Sequence, residues 1–223
     1  MKKLLLFTVF TVLSFTTAVA QQINFGAKAG VNFATLTGDV DDASTKVGLH
    51  VGGVAEYMIN EKLSLQAELL YSMQGAKNEY TETNSFNDYS EIYSEEATYK
   101  LNYINLPVMA KYFFTDNFSV IAGPQISFLT SAKADFDEVY TITTGGSTTV
   151  ETESISDLDI KDALKSIDFG LNLGLGYKLD NGLNFEARYN LGLMNIDDSP
   201  TEAGDPETSI KNGVIQVSLG FMF

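Results

Sequence analysis

The sequence predicts an all-β protein: an eight-stranded antiparallel transmembrane β-barrel with short periplasmic turns and long extracellular loops. Three observations predict it. In the stretch IDFGLNLGLGYKLDNGLNFEARYNLGLMN, Phe169, Leu171, Leu173, Leu175, Tyr177 and Leu179 alternate with Asp168, Gly170, Asn172, Gly174, Gly176 and Lys178. Leu183, Phe185, Ala187, Tyr189, Leu191 and Leu193 then alternate with Asn184, Glu186, Arg188, Asn190 and Gly192. Period-2 alternation is the signature of a strand, because successive side chains point to opposite faces. The runs are also long: soluble strands are usually about five or six residues, whereas a tilted strand crosses lipid in roughly nine to eleven. Finally, short connections alternate with long polar ones, the layout of outer-membrane barrels.

The strands follow in order. The first covers 23–36, with Phe25, Ala27, Ala29, Val31 and Phe33 on one face. The second covers 46–59 and the third begins at Leu63, joined by Asn60-Glu61-Lys62. The fourth, 99–114, meets the fifth, from Phe118, through Thr115-Asp116-Asn117. Asp180-Asn181-Gly182 joins the sixth and seventh, its Gly suiting a left-handed turn position. The eighth covers 213–223. The three short turns are flanked by Ile59/Leu63, Phe114/Phe118 and Leu179/Leu183, so an odd connection keeps the apolar face outward each time. Tyr57, Tyr112, Phe114, Phe118, Tyr177 and Phe185 gather near these turns as an interfacial girdle.

Segments 37–45, 78–98, 131–166 and 196–210 read as loops. Tyr80, Phe86, Tyr89 and Tyr93 suggest that part of the second extends its hairpin, and 159–166 has one or two helical turns' worth of spacing. Pro107 and Pro124 lie inside strands and lack the ladder donor, so the register, which sets Pro107 opposite Gln125 and Val108 opposite Pro124, calls for a break at a bulge.

Residues 1–20 read as a signal peptide: Lys2 and Lys3, a short apolar run, then Ala18-Val19-Ala20 as the cleavage signal. Cleavage after Ala20 leaves a single barrel domain, 21–223, in the outer membrane. Without Lys2 and Lys3 the net charge moves from −15 to −17, which argues against nucleic acid as a partner. With no Cys and one His, neither a cysteine nor a His-rich metal site is available, and neither a metal nor a cofactor is expected.

The segments NFGAKAGVNFATL, YINLPVMAKYFF with GPQISFL, and DFGLNLGLGYKLDNGLNFEARYNLGLMNI resemble the PorT-like outer-membrane β-barrel family of Gram-negative bacteria. The resemblance rests on Asn105-Leu106-Pro107, Gly123-Pro124, Gly174-Leu175-Gly176-Tyr177 and the run from Arg188 to Leu193, and covers essentially the whole mature chain. It implies an eight-stranded barrel behind a signal peptide, and, for one branch of the family, a link to protein secretion and surface delivery. The terminal Phe221-Met222-Phe223 resembles the aromatic signal read by the barrel-assembly machinery, making Phe221 and Phe223 the assembly residues.

The inward face carries Lys28, Glu56, Glu68, Lys111, Glu186 and Arg188. An eight-stranded barrel is about wide enough for side chains to fill. Buried charges must be paired, and Arg188 and Glu186 are predicted opposite Gly174 and Gly176, so this set reads as a structural polar network plugging the lumen rather than a permeation path. His50 is predicted opposite Ser72; a hydrogen-bonded core histidine explains it better than a catalytic pair, for which no orienting acid is apparent. Gly170, Gly174 and Gly176 lack the spacing of a nucleotide loop.

Of 29 acidic residues, 22 fall in the four long segments, which favours a solvated, self-repelling surface over a specific ion site. The sequence thus predicts a non-enzymatic outer-membrane barrel with a structural or surface-interaction role. Its partners would be outer-membrane lipid, the assembly machinery and an extracellular or periplasmic protein. A small porin-like transporter is the alternative, with an outer-membrane enzyme third. A soluble lipocalin-like barrel would have to turn the Gly, Asn, Lys and Glu face to water.

Overall fold

A computed structural model describes residues 23–40, 43–199 and 208–223. The expected signal peptide and its cleavage site, Asp41, Asp42 and the prolines at 200 and 206 lie outside the described residues. The strands are β1 (Ile23–Gly38), β2 (Ala43–Asn60), β3 (Leu63–Phe86), β4 (Tyr89–Phe113), β5 (Phe118–Thr144), β6 (Ser147–Asp159), β7 (Ile167–Lys178), β8 (Leu183–Gly192) and β9 (Ile210–Met222). All pairings are antiparallel, and β1-β2-β3-β4-β5-β7-β8-β9 closes on itself through β1–β9 and β4–β5 as an eight-stranded ring. Closure leaves no unpaired edge in the membrane zone, which lipid requires.

The packing inverts that of a soluble protein. Leu171, Leu173 and Leu175 are 46%, 61% and 49% exposed on the outer wall, while inward Asn172 is 0% and Glu186 3% exposed. That rules out the soluble-barrel alternative, whose apolar residues would point inward. No helix among the described residues is long and apolar enough to cross a membrane; the chain crosses with strands. Near the short turns, Tyr112, Phe114 and Phe118 form a chain of ring contacts, and Phe118, Tyr177 and Phe185 sit side by side across β5, β7 and β8.

The tight turns follow from their residues. Leu179 N–H donates to Leu183 O at 2.7 Å, and Gly182 has φ of 90°, a left-handed conformation that costs glycine little. On the β4–β5 ladder Pro107 stands opposite Gln125, and pairing resumes in the same register at Ala110 and Ala122. The interruption at Val108 and Pro124 is therefore not the expected bulge; the prolines and their neighbours drop rungs without shifting register. The shift falls between Asn102 and Tyr103, where Thr130 is the extra residue and its hydroxyl donates to Asn102 O at 2.8 Å.

The hairpin extension expected within 78–98 is present and takes up the whole segment, and most of 131–166, expected to be a loop, is strand. β3 and β4 continue as a hairpin to Phe86 and Tyr89, β5 reaches Thr144, and β6, on its far side, is a ninth strand outside the ring. Above the barrel β3-β4-β5-β6 is thus a four-stranded sheet. Its composition hides it from a hydropathy reading, because both faces meet water. The expected helical turns reduce to one 3-10 turn, Lys161–Ala163, after which Leu164 bridges Asp197. Ile160 and Leu164 pack with Leu36 and Ile210 on a buried cluster of Leu101, Tyr103, Leu129, Ala132 and Ile196 that stoppers the outer end of the lumen.

Candidate functional site: a filled lumen beneath an extracellular sheet

Inward alternation brings Lys28 (β1), Glu56 (β2), Glu68 (β3), Lys111 (β4), Glu186 and Arg188 (both β8) into one network, each no more than 4% exposed. Arg188 Nη1 lies 2.9 Å from Glu68 Oε2, and Lys111 Nζ lies 3.2 Å from Glu186 Oε1 and 3.5 Å from Glu56 Oε1. Lys28 bonds both Glu68 and Glu186. Gln66 accepts from Lys111 at 2.9 Å, Ser64 donates to Glu56 at 2.6 Å, and Arg188 Nε donates to Gln216 at 2.7 Å. Three cations therefore face three carboxylates, with Gln66 and Gln216 adding hydrogen bonds, and such pairing is the condition under which buried charge is tolerable; Arg188 Nη2 alone of this set is left without a partner.

Room for the largest member comes from a glycine. Gly174 pairs with Arg188, and a Cβ on Gly174 would lie 2.5 Å from Arg188 Cβ. Glu186 likewise pairs with Gly176.

Beside these charges lies an uncharged hydrogen-bonded set. Gln216 Nε2 donates to Asn32 Oδ1 at 2.9 Å, which also lies 2.8 Å from His50 Nδ1. His50 Nε2 is 2.8 Å from Ser218 Oγ. These partners place the His proton on Nδ1 and make Ser218 the donor to Nε2. The register does set His50 opposite Ser72, but Ser72 bonds Asn32 instead, at 3.0 Å. His50 crosses over Gly30, which pairs with both His50 and Ser218; a Cβ on Gly30 would meet His50 Cε1 at 2.6 Å. Sequence reasoning missed Ser218, although the intervening glycine was its signal. The order Ser218–His50–Asn32 has the connectivity of a nucleophile, base and orienting group. All three are at most 4% exposed inside a filled barrel, so the arrangement acts as a core hydrogen-bond relay.

The sheet above the membrane has two unlike faces. Cross-strand pairing puts Tyr80 and Glu82 of β3, Glu91, Tyr93 and Glu95 of β4, Glu138 and Tyr140 of β5, and Glu151 and Glu153 of β6 on the face continuous with the lumen. Tyr93 and Tyr140 rings lie 4.8 Å apart, and Tyr80 is 6.3 Å from Tyr93. Tyr93 donates to Glu95 at 2.9 Å, Tyr89 to Glu91 at 3.0 Å and Tyr80 to Glu82 at 3.1 Å. Those acceptors raise the hydroxyl pKa values, most of all at Tyr93, where the hydrogen bond to Glu95 leads. The opposite face carries Thr81, Thr83, Ser94, Thr141, Thr143 and Thr148, and at its base Lys77 pairs with Glu96 and Lys100 with Asp135. The Asp157 N–H and then Lys100 hold the Asp135 carboxyl below its ordinary value.

At the other rim, Phe223 N–H donates to Phe25 O at 2.8 Å, and the exposed rings of Phe221 and Phe223 stand 5.6 Å apart. Among the described residues no three or more His, Asp or Glu side chains group as metal ligands.

A closed ring with an apolar outer wall and a polar, ion-paired interior defines an outer-membrane β-barrel. The chain belongs to the outer membrane protein beta-barrel domain family, whose model matches residues 19–198. Among solved structures it is similar to Neisserial surface protein A, at 15% identity, covering 89% of this chain and 97% of that one with a TM-score of 0.48. It is also similar to Ail of Yersinia pestis in complex with sucrose octasulfate, at 9% identity, 91% and 99% coverage and a TM-score of 0.40. For CarO of Acinetobacter baumannii the values are 11%, 87%, 97% and 0.34. No curated protein matches the chain in sequence.

Proposed function

We propose that this outer-membrane barrel is a surface-interaction protein: the lumen is a structural plug, and the sheet above the membrane meets a basic protein partner. The observation that carries the reading is the asymmetry of that sheet, whose inner face presents Glu82, Glu91, Glu95, Glu138, Glu151 and Glu153 among tyrosines. Binding residues concentrate on elements held out by a rigid scaffold, and such a face attracts cationic segments through a field that salt screens. Outer-membrane lipid surrounds the apolar wall. Phe221 and Phe223 engage the assembly machinery during biogenesis. The resemblance to PorT-like barrels supports protein secretion or surface delivery as the setting, with the partner extracellular or periplasmic.

The test shortens the sheet, replacing 79–96 and 135–157 by tight turns, and measures binding of a Lys-rich peptide to cells displaying each form. Loss of binding with the shortened sheet, and weakening by salt in the intact one, is the expected result. Equal binding to both forms removes the proposal. Transport of small solutes is the second reading, favoured by orphaned polar atoms at Asn105 and at Arg188 Nη2, since such groups call for water.

A further inference from the structure

The lumen's charges balance three against three, and that leaves one carboxylate over. Asp168, the second residue of β7, points inward and is 3% exposed. Among the described residues it forms no ion pair. Its Oδ2 accepts from Asn212 Nδ2 at 2.9 Å, and Asn212 Nδ2 also reaches Tyr103 Oη at 3.2 Å. Asp168 Oδ1 and Asn212 Oδ1 have no hydrogen-bond partner. They belong to two side chains already in contact through their other polar atoms. Asn105 sits on the same ring of the barrel, linked to Asp168 through Ser127, and its amide is unpartnered too. Asn212, Tyr103 and Asn105 are 2%, 0% and 0% exposed.

A buried carboxylate without a counter-charge is costly, and unpartnered buried oxygens add to the cost. Here every free group but one amide nitrogen is an oxygen acceptor. We propose that Asp168, Asn212 and Asn105 form a binding site for a small monovalent cation of the sodium class, with Tyr103 Oη beside it. One positive charge offsets Asp168, among the described residues the one fully buried carboxylate outside the ion-paired set; the half-buried Lys46 of the inward face donates to Gln74 O at 3.0 Å and forms no ion pair with it. A divalent ion would leave an excess buried charge and usually takes several carboxylates among its oxygen ligands. The site lies one residue below the end of the outer loop, since Leu129 N–H bonds Ser166 O there. Above it is a cavity of about 260 Å³ lined by Leu101, Ile196 and Ile210, the last two residues above Asn212 on the same strand face.

The test uses the purified full barrel in detergent at constant ionic strength and at each of several pH values, with sodium chloride exchanged for N-methylglucamine chloride. The unfolding midpoint of the native protein is expected to rise with sodium and saturate, and sodium NMR lines are expected to broaden. Asp168→Asn should abolish both responses while raising the midpoint in N-methylglucamine. Asp159→Asn, on the exposed sheet, should keep both. If Asp168→Asn does not fold, Asn212→Leu serves, with the sodium response reduced. A midpoint indifferent to the cation overturns the proposal. So does one that follows pH alone, which would put a proton on Asp168, or a sodium response that survives Asp168→Asn.

Discussion

Arg188 and Glu68 meet at 2.9 Å from strands four places apart on an eight-stranded ring, and so from diametrically opposite walls. The contact spans the lumen, and the side chains of Lys28, Gln66 and Lys111 fill the space around it.

Arg188→Met is therefore expected to destabilise the barrel by about 3–5 kcal/mol, the usual cost of stranding a buried charge. Adding Glu68→Gln should recover part of the loss. Urea unfolding in detergent, read by the gel shift on heating, measures both; an unchanged midpoint in the single variant would count against the network.

In planar bilayers the purified protein is expected to show no large, regular conductance, because six paired charged side chains occupy the path. Repeated openings at neutral pH would move the assignment to the transporter reading.

Gly174→Val is expected to prevent native closure or to cost about 1–3 kcal/mol or more, as overpacking does. The new Cβ would stand 2.5 Å from both Arg188 Cβ and Ala187 O, and backbone cannot yield as a flexible side chain can. A variant that folds with native stability would show that the wall has slack.

Tyr93 should titrate after the exposed tyrosines, since its folded-state pKa is raised above the ordinary 10.0. For a raised value the stabilisation is complete below about pH 10 and is lost as pH rises through the folded value. Ultraviolet titration of the native protein against Tyr93→Phe isolates the late step, and a normal Tyr93 titration would mean that its bond to Glu95 is not maintained.

External protease on intact cells is expected to cut first at the β5–β6 turn, where Gly145 and Gly146 adopt φ of 55° and 84° with open space around them. Cleavage only after permeabilisation would invert the topology.

Much of the ring was legible because one face of each strand meets lipid. Alternation in hydropathy then reports the fold directly, and the odd turns at Asn60–Lys62, Thr115–Asn117 and Asp180–Gly182 lock the register that sets Arg188 beside Gly174. Hydropathy did not report the extracellular sheet, because water covers both faces; Tyr80, Phe86, Tyr89 and Tyr93 pointed only to its first hairpin. Its alternation is of kind, with Tyr80, Glu82 and Phe86 against Thr81, Thr83 and Ser85, and hydropathy does not register it. Side-chain reach was also illegible. His50 passes over Gly30 to Ser218, and Asn212 reaches Asp168 and Tyr103 on other strands, so nearest-neighbour pairing named the wrong serine and left the odd carboxylate unnoticed.

The diametric ion pair also bears on the order of events in biogenesis. Three of the five ion pairs join β8 to β1, β3 or β4, so an emerging sheet holds those partners apart until β1 docks on β9. Completing the cross-lumen network and sealing the cylinder are then a single event. A nascent chain whose last hairpin is late holds its charges open to water and remains recognisably unfinished. Refolding traces of Lys28→Met, which removes the cation shared by Glu68 and Glu186, are expected to show slowed sealing with unchanged early strand formation.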